Sequence, residues 1–388
     1  MKKRSINTTE YRNCQVSGGE FWLEPSEFKD IPVIDCHAHF AGVGAGRLQL
    51  SPTELNKMGA FMAEVIKRGR LSQTYISGRD AALYSKAQYP ELFYAGGFAP
   101  WSGETDQLPD ADWEKHIRSL IELGFDGVGE MGSKPVPRSR HVPLDGCYYE
   151  GFWDACEAQG FPVLCHVADP EEFWDEKLAP DWAKKKGWVY YLEDYPTKEE
   201  LYRETESVLD AHPDLRIVLC HFYFISADIE RASTFLDCYR NANFDLTLGI
   251  ELMHNISRRR DDWRDFFIKY QDRIFFGTDI STWQTVEEAI DRIWLVRNFL
   301  ESDDKFHTPE TADELLTRYK APFLGLDLPP RALRKIYSEN FQRLWGSKPR
   351  KVNTEVAIST LRSKGETAIA EALERLAQEP KKCSSTPS

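Results

Sequence analysis

The chain has 388 residues, which is more than an average domain but within the range of one barrel domain that carries insertions. It is 41% hydrophobic and 29% charged, as in globular proteins with a large core, and its net charge of −13 makes broad binding to nucleic acids unexpected. Its apolar runs are too short to span a membrane, and no apolar run follows the basic first residues, so we expect neither a membrane segment nor a secretory signal.

Eight short apolar runs recur along the chain, separated by longer amphipathic stretches. The runs alternate only weakly in polarity, as parallel strands do when helices cover both faces of a sheet. In chain order they are Ile31–Cys36, Leu71–Ile76, Leu92–Phe98, Phe125–Val128, Phe161–Cys165, Leu215–Cys220, Phe244–Ile250 and Arg273–Phe276. Helical patterns between them include Asp112–Leu123, Tyr148–Gln159, Thr197–Ala211, Ala227–Tyr239, Arg259–Tyr270 and Thr285–Leu300. Eight strand–helix units in series predict an α/β protein of the (β/α)8, or TIM, barrel class.

An open, doubly wound sheet is the alternative fold. The chain has no Gly-rich phosphate-binding loop after its first run, which disfavours that alternative. The domain organisation we predict is an N-terminal extension over 1–30, the barrel over 31–346, and a C-terminal helix with a disordered tail over 347–388. An aromatic-rich insertion, 167–196, follows the fifth strand, and helical patterns cover Pro330–Trp345 and Glu355–Gln378.

The eight cysteines indicate a reducing compartment. None is spaced as a Cys-x-x-Cys pair, and Cys36, Cys165 and Cys220 each lie inside an apolar run. This pattern is typical of buried, reduced thiols and not of a disulfide framework. We therefore expect a soluble, cytoplasmic protein.

Polar residues that can bind a metal ion end five of the eight runs. In a barrel the carboxyl ends of the strands meet at one face, where chemistry is located. The residues are His37 and His39 on the first strand, Glu130 on the fourth, His166 on the fifth, His221 on the sixth and Asp279 on the eighth. Any one of them alone is a weak signal, because structural histidines and helix-capping aspartates are common. Together they predict a divalent metal site of nitrogen and oxygen ligands.

With these residues the chain resembles the amidohydrolase superfamily, in particular the branch called amidohydrolase 2. The resemblance is carried by Ile34-Asp35-Cys36-His37-Ala38-His39-Phe40, by His166 and His221, by Gly277-Thr278-Asp279 and by the closing stretch Ile336–Asn340. It covers residues 31–346 and is specific to the superfamily, not to one substrate.

The resemblance implies a role for each of these residues. His37, His39 and His166 would ligate the metal with Asp279, which would also take a proton from the metal-bound water. His221 would ligate a second metal or bind the substrate or the water. Zinc is the metal we expect first, with manganese, nickel or iron as alternatives. Glu130 would bridge two ions in a binuclear site that includes His221, or would orient a histidine in a site with one ion, which we favour.

The loops after the strands suggest an anionic substrate. Candidate substrate-binding side chains are Lys134, Arg138 and Arg140 on the fourth loop, Arg79 and Arg47 on earlier loops, Trp101, Trp174 and Trp283 as pocket walls, and His254 after the seventh strand. Cationic side chains could bind a substrate carboxylate, or the fourth loop could simply be solvated. The insertion could roof the pocket, form a small packed subdomain, or contact a second copy in a homodimer.

Four functions remain open from the sequence. The first, which we favour because fourth-strand carboxylate bridges such as Glu130 occur in hydrolytic subgroups of the superfamily, is hydrolysis of an amide, ester or lactone in a small anionic molecule. The second is metal-dependent, non-oxidative decarboxylation or hydration of an unsaturated or aromatic carboxylic acid. A phosphodiesterase similar to TatD-like nucleases is the third, suggested by the segment around Glu130. The fourth, a binding protein without catalysis, leaves the full ligand set unexplained.

Overall fold

One sheet of parallel strands, in chain order, forms the centre of the molecule. The computed structural model describes residues 15–16, 20–21, 26–40, 50–97, 112–135, 142–192, 195–249, 251–316 and 321–378. The strands of this sheet are β1 (Ile34–His39), β2 (Gln73–Ser77), β3 (Phe93–Gly97), β4 (Gly127–Gly132), β5 (Val163–His166), β6 (Ile217–Leu219), β7 (Phe244–Asp245), β8 (Ile274–Phe275) and β9 (Ile280–Ser281). Each of the eight predicted runs contributes a strand, so the prediction of eight strands is confirmed.

The sheet closes on itself through its last strand. β9 pairs in parallel with β1, with Ile280 opposite Ala38, while β8 pairs with β7. The backbone N–H of Cys36 also donates to the carbonyl of Phe276 at 2.9 Å. β8 and β9 are therefore the two halves of one interrupted eighth strand, and the (β/α)8 barrel predicted from the sequence is confirmed.

Helices follow the strands and cover the outside of the barrel. They are α1 (Pro52–Gly69), α2 (Arg79–Gln88), α3 (Trp113–Leu123), α4 (Phe152–Ala158), α5 (Asp181–Lys186), α6 (Lys198–Ala211), α7 (Ile229–Cys238), α8 (Leu252–Arg258), α9 (Arg260–Lys269) and α10 (Val286–Glu301). Three of the longest, α1, α6 and α10, begin with capping boxes at Ser51, Thr197 and Thr285, each with a glutamate three residues later. In the part of the chain that the structure describes, no helix is long and apolar enough to cross a membrane.

The C-terminal region differs in one respect from the sequence prediction. The stretch Glu355–Gln378 is two helices, α13 (Thr354–Ser363) and α14 (Thr367–Gln378), and not one. Gly365, with φ +80°, ends α13 in the left-handed conformation that glycine adopts without strain. Before them, α11 (Pro330–Arg334) and α12 (Asn340–Trp345) are joined by a π-helical turn, as the pattern over 330–345 predicts.

Apolar side chains fill the barrel interior and close its lower end. The interior side chains are Ile34, Cys36, Tyr75, Tyr94, Leu164, Val218, Cys220 and Phe275, and Phe341, Leu344 and Trp345 of α12 pack beneath them. The cysteines predicted to be buried thiols, Cys36, Cys165 and Cys220, are buried and unpaired. With its amino-terminal end blocked by α12, the barrel opens at the carboxyl ends of its strands.

The first and seventh strands have bounds that the runs do not predict. β1 extends to His39, and its register against β2 shifts between Asp35 and Ala38, so the histidines follow a local irregularity. β7 ends at Asp245, five residues before the end of the apolar run. There the Asp245 carboxylate accepts a hydrogen bond from the backbone N–H of Thr247. This side-chain acceptor takes the place of a backbone carbonyl on a neighbouring strand.

Candidate metal centre

Two histidines and an aspartate point their ligand atoms at one another at the barrel mouth. The Nε2 atoms of His37 and His39 lie 2.9 Å apart, and Asp279 Oδ1 lies 3.2 Å from His39 Nε2. Asp279 is held between the two halves of the eighth strand, where it adopts a φ of 59° and its N–H donates to the carbonyl of His37. These three residues place one ligand atom each within 4.8 Å of one another.

Asp245 fixes the ring of His37 from behind. Nδ1 of His37 donates to Asp245 Oδ2 at 2.8 Å, and Thr247 Oγ1 lies 2.9 Å from the same nitrogen. With Nδ1 protonated, the lone pair of a neutral His37 ring is on Nε2, which faces His39. An imidazole that a buried carboxylate orients in this way is the arrangement found for metal-ligating histidines.

Glu130 brings the remaining histidines to the same place. His166 Nδ1 lies 2.6 Å from Glu130 Oε1, and His221 Nε2 lies 4.0 Å from that oxygen. The Glu130 oxygens are also 3.6 Å from His37 Nε2 and 3.5 Å from His39 Nε2. Glu130, His37 and His221 thus form a second set of three groups close enough to hold an ion.

Burial and neighbouring charges shift the pKa values of these groups in different directions. Burial favours the neutral ring of His37, but the carboxylates of Asp245, Glu130 and Asp279 together outweigh burial and raise the pKa of His37 to about 10. Burial would raise the pKa of Glu130, yet His166 and His39 hold it well below its usual range. Burial and the neighbouring His166 lower the pKa of His221 to about 3, so its ring is neutral.

The residues present fit a divalent cation. Three buried or half-buried carboxylates, Glu130, Asp245 and Asp279, face four imidazole rings within one cluster. Nδ1 of His221 and Nε2 of His166 are buried without a hydrogen-bond partner. Converging nitrogen and oxygen donors without sulfur suit zinc, manganese, nickel or iron.

His221 begins a turn of unusual backbone conformation. It and the next three residues, through Phe224, all have φ between 53° and 56°, which residues other than glycine rarely adopt. The turn is held by its surroundings: Lys198 Nζ donates to the carbonyl of Phe224 at 3.1 Å, and Tyr202 Oη donates to that of Tyr223 at 3.1 Å. Backbone strain of this kind concentrates at functional sites.

A cavity of about 200 Å³ opens above the cluster. Its lining includes Glu130, His166, His221 and Asp279 on the floor, and Phe173, Trp182, Trp188 and Phe224 on the walls. Lys134 and Asp169 also line it, with Lys134 Nζ 3.3 Å from Asp169 Oδ1. The insertion after β5 supplies Phe173, Trp182 and Trp188 and has an apolar core of its own, so it is a packed subdomain and a wall of the cavity at once.

The structure brings together all six residues predicted from the strand ends: His37, His39, Glu130, His166, His221 and Asp279. Of the predicted substrate-binding residues, Lys134 lines the cavity. Trp174, predicted as a pocket wall, is not among the lining residues; it packs against the core of the insertion, where its indole N–H donates to the carbonyl of Pro196.

The other predicted substrate-binding residues either lie away from the cavity lining or fall outside the residues that the structure describes. Arg79 begins α2, Trp283 is largely exposed, and His254 is half-buried on α8; none is among the residues lining the cavity. The remaining candidates, Arg47, Trp101, Arg138 and Arg140, lie outside the described residues.

The sequence analysis missed three charged residues of the site. Asp245 orients His37, Asp169 lines the cavity, and Arg292 of α10 lies 3.7 Å from Asp279 Oδ2. Asp245 had a signal, because it is an acidic residue inside an apolar run of a buried strand. Arg292 had a weaker one, a charge directly before the apolar run Ile293–Val296 of its helix.

The closed barrel and its histidine–carboxylate cluster define a metal-dependent barrel enzyme. The chain belongs to the amidohydrolase family, since the family model described as Amidohydrolase (amidohydrolase 2) matches residues 34–347. This match confirms the resemblance drawn from the motifs. No curated protein matches the chain.

Solved structures with a similar chain path are distant in sequence. A 2,6-dihydroxybenzoate decarboxylase from Rhizobium is 16% identical, with a TM-score of 0.49, over 81% of this chain and 98% of that one. A 5-carboxyvanillate decarboxylase from Novosphingobium aromaticivorans, complexed with manganese, is 11% identical, with a TM-score of 0.48, over 84% and 98%. A probable 2-pyrone-4,6-dicarboxylic acid hydrolase from Acinetobacter baumannii is 13% identical, with a TM-score of 0.44, over 81% and 99%. The family assignment rests on the sequence match.

Proposed function

We propose that this chain is a metal-dependent decarboxylase of a small, flat carboxylic acid, aromatic or unsaturated. The observation that carries the proposal is the cavity: its floor is the histidine–carboxylate cluster and its walls are aromatic rings. Lys134 supplies a positive charge on this lining, 12% exposed. A flat acid can lie between the rings with its carboxylate on the ammonium, so the site selects for both parts of the molecule.

The residues of the site have three proposed roles: they hold the ion, line the cavity or carry a proton. His37, His39, His166 and Asp279 would hold the ion, with Glu130 beside them. When bound, the ion supplies Lewis-acid polarisation of a substrate oxygen. Phe173, Trp182 and Trp188 exclude water from the substrate.

The apolar walls also favour the chemical step. A carboxylate that leaves water for an apolar cavity loses hydration, whereas the transition state for loss of CO₂ spreads its charge. The C–C bond to the carboxylate breaks, CO₂ leaves, and a proton replaces it on carbon. The proton comes from water, which leaves as hydroxide, and we assign its relay to His221, which lines the cavity and whose Nδ1 has no hydrogen-bond partner in the described structure.

Hydrolysis of a lactone or ester is the second candidate, and the position of Glu130 favours it. One Glu130 oxygen lies 2.6 Å from His166 Nδ1 and the other 3.5 Å from His39 Nε2. A carboxylate between histidines can bridge two ions, and two-ion sites activate water for hydrolysis. In that reaction Asp279 would be the proton acceptor.

The first test combines metal content with product analysis. We expect about one equivalent of a divalent metal in the purified protein, lost in a His37→Ala/His39→Ala variant and retained in the exposed-histidine control His307→Ala. The protein is then incubated with zinc or manganese and a panel of hydroxybenzoic acids and aryl lactones. Release of CO₂ that disappears with the double variant supports the proposal. Lactone opening without CO₂, with about two equivalents of metal, would replace it by hydrolysis.

A further inference from the structure

Asp169 is a buried carboxylate that contacts three parts of the molecule. It follows His166 by three residues, just past the end of β5, and is 4% exposed. Its Oδ1 lies 3.3 Å from Lys134 Nζ, and its Oδ2 accepts a hydrogen bond from Tyr190 Oη at 2.6 Å. Oδ1 also lies 3.6 Å from His166 Nε2. The residue therefore joins the fourth loop, the fifth strand and the insertion.

The side of His166 that faces Asp169 is the side away from the metal cluster. His166 Nδ1 faces the cluster, 2.6 Å from Glu130 Oε1, while Nε2 faces Asp169. Asp245 lies on the corresponding side of His37, at the hydrogen-bonding distance of 2.8 Å, whereas Asp169 Oδ1 approaches His166 Nε2 only to 3.6 Å. A carboxylate placed behind a ligating imidazole fixes its tautomer and orientation and increases its basicity.

Lys134 depends on Asp169 for its position over the cavity. Its ammonium lies 5.0 Å from the ring centre of Trp188, a cation–π contact with a cavity wall. A lysine has three N–H donors, so the contact with Asp169 leaves others for a ligand.

Tyr190 connects this arrangement to the core of the insertion. Its ring packs against Trp174, Phe173 and Tyr195, and its hydroxyl donates a hydrogen bond to Asp169. The packing of the insertion therefore determines where the Asp169 carboxylate lies.

We propose that Asp169 is a positioning residue that orients His166 toward the metal and holds Lys134 as the binding site for the carboxylate of a flat aromatic acid. Tyr190 makes both functions depend on the insertion. The substrate class rests on the proposed function. The positioning of His166 and Lys134 rests on the contacts of Asp169 alone.

The test measures binding and needs no turnover. Calorimetry of the full chain gives the affinity for zinc, and for benzoate and its neutral analogue benzamide in the zinc-loaded protein. The variants are Asp169→Asn, which keeps the shape and an acceptor for Tyr190 but removes the charge, and Lys134→Met. The control is Asp181→Asn, an exposed aspartate of the same insertion. Wild type and control should bind benzoate about tenfold or more tightly than benzamide, the strength of one charge-assisted contact.

Each variant has its own expected result. Lys134→Met should lose the preference for benzoate and keep its zinc affinity. Asp169→Asn should lose most of that preference and bind zinc about tenfold or more weakly. If Asp169→Asn keeps either the benzoate preference or the wild-type zinc affinity, the proposal is wrong.

Two further results keep the inference separate from the proposed function. If Asp169→Asn does not fold, Tyr190→Phe replaces it, and an unchanged benzoate preference in that variant overturns the proposal. Intact benzoate binding without CO₂ release from any acid would refute the decarboxylase, while the variant results would still decide the role of Asp169.

Discussion

Nδ1 of His37 and Oδ2 of Asp245 lie 2.8 Å apart, although 208 residues separate them in the chain. The other oxygen of Asp245 accepts the backbone N–H of His221 at 2.7 Å. One buried carboxylate on β7 thus fixes the ring of one site histidine and the backbone of another. Because both bonds need an acceptor, the position requires a carboxylate and not merely a polar side chain.

Asp245→Asn should weaken metal binding while the barrel stays folded. The amide keeps the shape of the carboxylate but lacks its charge, and it can turn a donor toward His37 and favour the wrong tautomer. We expect zinc affinity to fall by about 10- to 100-fold. Metal titration of the variant beside the exposed control Asp237→Asn measures this, and equal affinities would contradict the assigned role of Asp245.

Lys198→Met should destabilise the left-handed turn that carries His221. The variant loses the hydrogen bond to the Phe224 carbonyl and the 3.2 Å ion pair with Glu171. Since the carbonyl is buried, we expect the free energy of unfolding to fall by about 1–3 kcal/mol and activity to fall further than stability alone explains. Urea unfolding and steady-state rates test this against Lys185→Met, an exposed lysine of α5. Wild-type values for both would show that the turn does not depend on Lys198.

Glu251→Gln should change how stability depends on pH. Burial raises the pKa of Glu251 from 4.5 to about 7, and both of its oxygens lack a hydrogen-bond partner in the described structure. The folded chain therefore keeps this proton up to about pH 7, whereas the unfolded chain releases it near pH 4.5. The contribution of this group to stability is full below pH 4.5 and is lost as pH rises toward 7.

The variant removes this titration. Relative to wild type, Glu251→Gln should gain stability on going from about pH 5 to about pH 8, on the order of 3 kcal/mol at most. Unfolding in urea at the two pH values measures the difference. Glu176→Gln, at an exposed position of the insertion, is the control and should show no such gain. A parallel pH dependence of wild type and Glu251→Gln would mean that Glu251 is ionised in the folded chain.

Trp188→Ala should reduce affinity for aromatic acids more than for small aliphatic ones. Trp188 lines the cavity, contacts the edge of Trp182 and supports Lys134, so its removal opens the wall. We expect benzoate binding to weaken by about 3- to 10-fold, with a smaller change for acetate. Trp283→Ala removes an indole that is 56% exposed and should have less effect. A larger effect at Trp283 would place the aromatic wall on the other side of the mouth.

The clustering of the candidate ligands was predictable because these residues stand at regular places in the sequence. His37, His39, Glu130, His166, His221 and Asp279 each follow an apolar run, and a parallel barrel brings all such positions to one face. The same regularity predicted the eight strands and the closed sheet. This prediction depends on chain order and periodicity and not on the direction of any side chain.

The supporting residues were not predictable by the same rule. Asp169 lies in a loop three residues past its strand, and its partners Lys134 and Tyr190 come from different segments. The left-handed conformation of Phe222 and its neighbours has no signal in the sequence, because none of them is glycine. Such features depend on tertiary contacts, which override local preference.

The closing contact between β9 and β1 also sets an order of events during synthesis. The backbone N–H of Asp279 donates to the carbonyl of His37, and Ser281 pairs with His39. The two histidines at the start of the barrel therefore reach these partners only after nearly all of the barrel has been synthesised. Contacts this remote in sequence form late and slowly. An emerging polypeptide therefore carries two histidines without their aspartate until the eighth strand is released. The candidate metal site is therefore complete only when the barrel closes.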